Sequence, residues 1–245
     1  AGVYVRDSSS FTMNVGTISD NKATGYGGGV YLSDSTSSFT MNGGVIGKEI
    51  EEGTEGAKQS WEDAATEDKH SNSANGDGGG IYAVDGTVTI KDAKVSYNYV
   101  PDDDKNDNPN GTSLSSGGGI CMNKGTLTLE NSEVSYNRGY LGGGVRCYND
   151  GTVNVGTLTL KNATIKGNAG KHYGWSNFGG ALAIRHFDVI CDKLAEASII
   201  EENYSADGGA VFLEGTTSTL ENITIQNNSF NENGYRNGSE MLLYS

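Results

Sequence analysis

An acidic segment at 101–111 has the spacing of oxygen ligands that a hard cation needs. Oxygen-bearing side chains stand at every second position: Asp102, Asp104, Asn106, Asn108 and Asn110. Calcium takes six or more oxygen ligands from a flexible loop, so Ca²⁺ is the candidate metal, with Asp102, Asp104, Asn106 and Asn108 as its ligands. No Glu stands at the distance of a bidentate ligand, and Pro109 interrupts the pattern. A solvated acidic loop is the simpler interpretation, and the chain requires no cofactor.

Two groups of aromatic residues have the composition of a sugar-binding surface. Tyr4, Tyr31 and Tyr82 occupy equivalent positions in three similar segments, and Tyr173 and Trp175 share one loop. Aromatic rings stack on the apolar faces of sugars, while polar neighbours bond the hydroxyls. The alternative is structural, because tyrosines stacked on one another would stiffen the fold and loop aromatics would pack on its surface.

Arg146 is the one candidate for a catalytic group. It occupies the position at which the other similar segments have an aromatic or small residue, and Arg or Lys can abstract a proton next to a carboxylate. A single outward Arg is more often a solvated surface residue, and the sequence shows no group of Asp residues facing it. An enzyme is therefore the less favoured interpretation.

Paired hydroxyl residues recur as Ser/Thr-x-Thr. The pairs are Ser10 and Thr12, Ser38 and Thr40, Thr87 and Thr89, Thr126 and Thr128, Thr157 and Thr159, and Thr217 and Thr219. If the segments stay in register, two columns of hydroxyls line one face. Threonine is also simply a favoured exposed strand residue.

Glycine clusters, each followed by an apolar-x-apolar triplet, reveal the elements that position these residues. They lie at 27–32, 78–83, 117–122, 142–147, 179–184 and 208–213, and an incomplete copy opens at 2–5. Two further short segments follow most copies, such as 126–129 and 132–135, and each alternates apolar with polar residues. This period of two predicts strands with one buried face, so the unit is a repeated supersecondary element.

The shortest spacing between equivalent apolar positions is 25 residues, from Ile120 to Val145. That length fits three short strands and three turns. Three strands per turn, repeated in one direction, predict an all-β, right-handed parallel β-helix, a solenoid of about seven three-stranded coils with loop insertions. We predict a single domain at 1–245, a fragment of a longer protein, with insertions at about 48–77, 99–116, 148–156 and 169–178.

Alternation assigns the flanking members of each triplet to the core and the middle member to the outside. The predicted outward column is Tyr4, Tyr31, Tyr82, Cys121, Arg146, Ala183 and Phe212. Recurrent Asn residues after the strands (Asn21, Asn98, Asn137, Asn168, Asn203 and Asn228) are interpreted as structural ladders, because Asn suits tight turns. The three cysteines are expected to be free: Cys121 faces out, Cys147 faces in, and Cys191 lies in a segment that we predict to be irregular.

The net charge of −14 disfavours partners that require cations facing phosphate, namely nucleic acid and anionic membranes. No run of about 18 apolar residues exists to insert in a membrane. The remaining class is an extracellular or cell-surface protein.

The segments 127–137 and 158–168 resemble right-handed parallel β-helix domains of bacterial surface adhesins and autotransporter passengers. Phe11 to Asn14, Phe39 to Asn42 and the Gly-Gly-[Ala/Gly]-apolar clusters are similar to repeats of chlamydial polymorphic membrane proteins. The resemblance implies a secreted or surface-exposed stalk that displays loops and binds carbohydrate or a host surface.

The fold is also similar to pectate-lyase-like polysaccharide lyases and hydrolases, which implies a catalytic role for Arg146. The Thr-x-Thr pairs resemble arrays of β-helical antifreeze proteins, which implies ice binding.

Overall fold

The computed structural model describes residues 1–49, 71–101, 116–149, 151, 156–170, 179–205, 209–230 and 241–244. Within these ranges the regular structure is entirely β, and no helix is available to cross a membrane. In chain order the strands are β1 (Val3–Val5), β2 (Ser10–Met13), β3 (Thr17–Ile18), β4 (Lys22–Ala23), β5 (Val30–Leu32), β6 (Ser38–Met41), β7 (Val45–Gly47), β8 (Ser73–Ala74), β9 (Ile81–Ala83), β10 (Thr87–Lys91), β11 (Lys94–Ser96), β12 (Ile120–Met122), β13 (Gly125–Glu130), β14 (Glu133–Ser135), β15 (Arg138–Gly139), β16 (Val145–Tyr148), β17 (Gly156–Lys161), β18 (Thr164–Lys166), β19 (Ala169–Gly170), β20 (Leu182–Arg185), β21 (Asp188–Cys191), β22 (Ser198–Glu201), β23 (Tyr204–Ser205), β24 (Val211–Glu214), β25 (Ile223–Gln226), β26 (Ser229–Phe230) and β27 (Met241–Tyr244).

Each sheet collects one strand from each successive repeat. Sheet A has the order β1-β5-β9-β12-β16-β20-β24-β27, sheet B the order β2-β6-β10-β13-β17-β21, and sheet C the order β3-β7-β11-β14-β18-β22-β25. Sheet D consists of β4-β8 and β15-β19-β23-β26, with single-residue bridges through Tyr99 between the two parts. The strand pairs in all of these sheets are parallel. The protein is thus an all-β repeat fold of stacked parallel strands, compatible with a parallel β-helix. We call one passage through the sheets a coil.

The core lies between the sheets and follows the predicted alternation. In sheet A, the flanking members of each triplet, such as Ile120 and Met122, are buried in one continuous hydrophobic cluster. In sheet B, the residues between the hydroxyl pairs, such as Leu127 and Leu158, belong to the same cluster. Burial of each such side chain contributes about 1.5–3 kcal/mol, so the stacked apolar columns supply the driving force for the fold.

A ladder of asparagine side chains runs through the turn between sheets C and D, which confirms the structural interpretation of these residues. Asn98, Asn137, Asn168 and Asn203 are buried, and each amide nitrogen donates to the amide oxygen of the Asn in the next coil, at 2.9–3.0 Å for the four rungs from Asn72 to Asn203. The same nitrogen also donates to a backbone carbonyl, as in Asn137 Nδ2 to Val95 O at 2.8 Å. Buried polar groups are therefore paired from coil to coil, which fixes the register.

The structure adds several elements that alternation did not predict. Asp188–Cys191 forms the regular strand β21, paired with β17, so the prediction of an irregular segment was wrong. The two-residue strands of sheet D were not predicted, because two residues are too few for a period to show. Conversely, Thr217 to Leu220 makes only one bridge, between Thr219 and Ile190. Ser218 replaces the apolar residue there, and its hydroxyl accepts the Val189 N–H at 2.9 Å in place of a ladder carbonyl.

The glycine clusters allow close approach between coils rather than serving flexibility. A Cβ added at Gly118 would collide with the backbone of Arg138, and one at Gly79 would collide with the carbonyl oxygens of Gly118 and Tyr99. Such contacts leave no room for a side chain, so a glycine is required at these positions.

All three cysteines are free, as predicted. Cys121 and Cys147 stand on opposite faces of sheet A, since Cys147 belongs to the core cluster and Cys121 does not. Both thiols are buried, although the outward position of Cys121 had suggested exposure. The outer face of sheet A is covered at this coil, and that covering forms part of the site described next.

Candidate functional site

The middle residues of the sheet A triplets form one in-register column on the outer face. Tyr4 pairs with Tyr31, Tyr31 with Tyr82, Tyr82 with Cys121, Cys121 with Arg146, Arg146 with Ala183, and Ala183 with Phe212. These residues are absent from the core cluster, which confirms that they point away from it. Exposure falls along the column, from 53% at Tyr4 to 5% at Tyr82. The column is therefore open at its first coils and covered farther along.

Four tyrosines form a contiguous aromatic surface that we call the tyrosine strip: Tyr4, Tyr26, Tyr31 and Tyr82. The rings of Tyr4 and Tyr31 stack with centroids 5.0 Å apart, and those of Tyr31 and Tyr82 lie tilted at 5.5 Å. Tyr26, from the turn before β5, stacks on Tyr82 at 4.7 Å and is 47% exposed. The stacked rings agree with the structural interpretation of the sequence, and two of them also present a face to solvent. Sugar binding by these residues stays a prediction.

Burial sets the protonation state of the strip. Burial raises the pKa of Tyr31, and the neighbouring phenols of Tyr4 and Tyr26 add to the effect. Burial raises the pKa of Tyr82 more strongly, with further contributions from Cys121 and Asp77. Both phenols consequently keep their protons at neutral pH and remain hydrogen-bond donors as well as acceptors.

A second group of side chains, which we call the polar cluster, covers the same face two coils away: Asp77, Ser116, Arg146 and Tyr148. The Arg146 guanidinium donates from Nη1 to the Ser116 hydroxyl and lies over the Tyr148 ring, 4.2 Å from its centroid. Asp77 Oδ1 accepts the Ser116 backbone N–H at 2.7 Å, and Asp77 Oδ2 lies 3.4 Å from the Tyr148 hydroxyl. Arg146 is therefore held on an aromatic face and not solvated freely, as a lone surface Arg would be.

The carboxyl group of Asp77 lies in a poorly solvated position. Burial raises its pKa, while the positive charge of Arg146 and hydrogen bonds from Ser116 and Tyr148 act in the opposite direction. Burial also raises the pKa of the Tyr148 phenol. The cluster thus places a guanidinium, a carboxyl group and a protonated phenol on one patch of the outer face, a set that can bind charged and hydroxylated ligands.

The tyrosine strip and the polar cluster are neighbours. Tyr82 stands two strands from Arg146 in the same column, about 10 Å at the usual strand spacing. Between them lies Cys121, whose burial raises the pKa of the thiol well above its usual range. A neutral thiol fills the column there without adding charge.

Sequence reasoning missed Tyr26 and Asp77. Tyr26 lies in a glycine-rich turn and not in a strand, so the alternation of strand residues does not predict which way its side chain points. Asp77 ends the first insertion and meets Arg146 only because Gly78 returns the chain to sheet A. One feature of the sequence could have indicated that Asp77 and Ser116 lie close together. Each directly precedes a glycine cluster, so the two residues occupy equivalent positions in their repeats.

The outer face of sheet B carries a second ordered surface, which we call the hydroxyl face: Ser10, Thr12, Ser38, Thr40, Thr87, Thr89, Thr126, Thr128, Thr157 and Thr159. Their positions pair strictly in register across β2, β6, β10, β13 and β17. Each of these residues is exposed or half-exposed. The next strand, β21, replaces the pair by Asp188 and Ile190, which ends the two columns.

The remaining predicted site residues lie outside the described ranges. These are the loop aromatics Tyr173 and Trp175 and the calcium candidates Asp102, Asp104, Asn106 and Asn108. Among the described residues, no group of three or more His, Cys, Asp or Glu side chains forms a metal site.

No protein-family model, no curated protein and no solved structure matches this chain. The likeness of its repeats to adhesin-type domains is a resemblance of sequence alone.

Proposed function

We propose that this chain is a secreted or cell-surface β-helix that binds carbohydrate or a host surface through the tyrosine strip. In this proposal the stacked parallel strands form a right-handed β-helix of about seven coils, since crossovers between parallel strands are overwhelmingly right-handed. The resemblance to bacterial surface adhesins and the acidic charge of −14 agree with an extracellular display role.

The exposed faces of Tyr4 and Tyr26 carry the proposal. Both rings are about half exposed, yet each is immobilised by a stacked neighbour, Tyr31 for Tyr4 and Tyr82 for Tyr26. A preorganised aromatic platform binds at a low cost in side-chain entropy. Sugar rings present apolar faces to such platforms, and the protonated phenols can bond their hydroxyls.

A screen of the purified chain on a glycan array, with and without calcium, tests this function. The same glycans should be followed for cleavage products. We expect binding without turnover. Turnover of an acidic polysaccharide would instead support the alternative of a pectate-lyase-like lyase or hydrolase, in which Arg146 and Asp77 act together. Absence of binding to every glycan would contradict the proposal.

Ice binding is a second candidate, favoured by the hydroxyl face. Its two columns repeat at about 4.8 Å between coils and about 6.6 Å along the strand, a regular lattice over five strands. Only a ligand with its own periodicity, such as an ice surface, can meet every position of such a lattice at once.

Thermal hysteresis of the freezing point tests the second candidate. Thr89→Tyr, on the central strand β10, would break the flat face and should abolish the hysteresis of the wild-type protein. Thr164→Tyr, on sheet C, is the matched control and should leave it unchanged. A wild-type protein without thermal hysteresis would contradict ice binding.

A further inference from the structure

We propose that Arg146 binds an anionic group, a carboxylate or a sulfate, of the glycan whose rings stack on the tyrosine strip. This inference rests on the proposed function and specifies its ligand class as an acidic oligosaccharide.

The guanidinium of Arg146 is preorganised, and the described residues accept from few of its donors. A guanidinium has five N–H donors, and among the described residues only the Ser116 hydroxyl accepts from it. Ser116 is fully buried and is itself fixed by its N–H donating to Asp77. The Tyr148 ring supports one face of the guanidinium. The group is therefore held in one orientation with donors left over for a ligand.

No carboxylate in the described part of the chain lies within ion-pair distance of Arg146, in contrast to Arg185, which pairs with Glu214 at 3.2 Å. Asp77 acts on Arg146 only at longer range, and its two oxygens face Ser116 and Tyr148. Because the side chain of Arg146 is only partly buried, a ligand anion can reach it. A bidentate acceptor such as a carboxylate matches the remaining fork of donors.

The position of Arg146 relative to the strip defines the ligand. Arg146 lies in the same outward column as Tyr82, two strands farther along. Tyr26, stacked on Tyr82, and Arg146 are both accessible, so a ligand that stacks on Tyr26 and passes over the covered Tyr82 and Cys121 reaches the guanidinium. The chain carries a net charge of −14, which repels anions at long range. Local contacts with Arg146 must therefore supply the selectivity for an acidic sugar.

Calorimetric titration with matched glycans tests the inference. The probes are uronic acid oligosaccharides, the same oligosaccharides with esterified carboxylates, and sulfated oligosaccharides. We expect the wild-type protein to bind at least one acidic series about tenfold more tightly than the neutral esters, as a charge-assisted hydrogen bond implies. The acidic series that binds more tightly than the neutral esters identifies carboxylate or sulfate as the recognised group.

Two arginine variants provide the matched pair. Arg146→Gln should lower the affinity for the acidic glycan about tenfold, to that of the neutral ester, whereas Arg185→Gln, in the neighbouring strand of sheet A, should retain the preference. Equal affinity of the wild-type protein for acidic and neutral glycans would overturn the inference without any variant, and would leave the proposed function intact. Tyr26→Ala, in contrast, should lose the binding of the neutral glycan. A change at the tyrosine strip therefore reports on the proposed function, and a change at Arg146 reports on the inference.

Discussion

Tyr26 stacks on Tyr82 with the ring centroids 4.7 Å apart and the planes inclined by 21°, although the two residues belong to different coils. The contact joins a turn residue to the strand column of sheet A. It holds an exposed ring in one orientation, and this fixed ring is the feature on which the proposed glycan site depends. The same column leads on to Arg146 and the polar cluster.

The asparagine ladder should be essential for stability. Asn137→Ala would leave the buried Asn98 N–H without its acceptor and would remove the side-chain donor of the Val95 carbonyl. An unpaired buried group costs about 1–3 kcal/mol and a lost hydrogen bond about 1 kcal/mol, so we expect a loss of about 2 kcal/mol or more. Urea denaturation measures it. Asn42→Ala is the control: Asn42 is exposed and donates one bond to Asn14, and its loss should cost under about 1 kcal/mol.

The glycine clusters offer a second matched pair. Gly118→Ala would place a methyl group against the backbone of Arg138, which cannot move without breaking sheet D, and should cost at least about 2 kcal/mol. Gly25→Ala meets no atom within 4 Å and should change stability by under about 1 kcal/mol. Equal melting temperatures for the two variants would contradict the close-approach role of the clusters.

The sequence predicted the parallel strands, the buried columns and the ladders, because each depends on a residue type repeated in every coil. Asn72 shows the limit of this reasoning. It completes the ladder between Asn21 and Asn98 but lies within the predicted insertion at 48–77, so no repeat spacing marks it. The polar cluster was unpredictable for the same reason: Asp77 and Arg146 lie in different repeats, and their proximity depends on how an insertion rejoins sheet A.

Stability should depend on pH through Asp77. Burial raises its pKa in the folded state above the ordinary value of about 4, so the folded protein binds the proton more tightly than the unfolded chain. The free energy of unfolding therefore falls as the pH rises from about 4 through the raised pKa of Asp77. Asp77→Asn should abolish this part of the pH dependence, measured by thermal melts from pH 4 upward. An unchanged profile would show that Asp77 does not titrate in this way.

Binding of a sulfated oligosaccharide should tighten as pH falls. The sulfate does not titrate, so the change reports on the protein. Protonation of Asp77 removes a negative charge that acts on Arg146 at longer range, while Tyr82, Tyr148 and the Cys121 thiol stay neutral throughout because their pKa values are raised. Affinity measured at several pH values should lose its trend in Asp77→Asn. A trend that persists in this variant would assign the effect to another group.

The three thiols should react slowly in the native protein. Burial raises the pKa of Cys191 to about 11 and those of Cys121 and Cys147 further, so almost no thiolate is present at neutral pH. A disulfide reagent should titrate three thiols quickly in urea and almost none without it. Fast modification of Cys121 in the native protein would show that the outer face of sheet A opens.

The central claim is most directly tested by the affinity of Tyr26→Ala for a glycan that the wild-type protein binds. We predict about a tenfold loss of affinity in a protein that still folds, because an aromatic stack contributes about 0.5–1.5 kcal/mol and tenfold corresponds to about 1.4 kcal/mol. Loss of the stack on Tyr82 should lower the melting temperature by a few degrees at most. Tyr97→Ala is the control. Tyr97 lies away from the strip and stacks on Tyr136, with the ring centroids 5.2 Å apart, so this variant should bind the glycan as the wild type does. Equal affinity of Tyr26→Ala and the wild type would contradict glycan binding by the tyrosine strip.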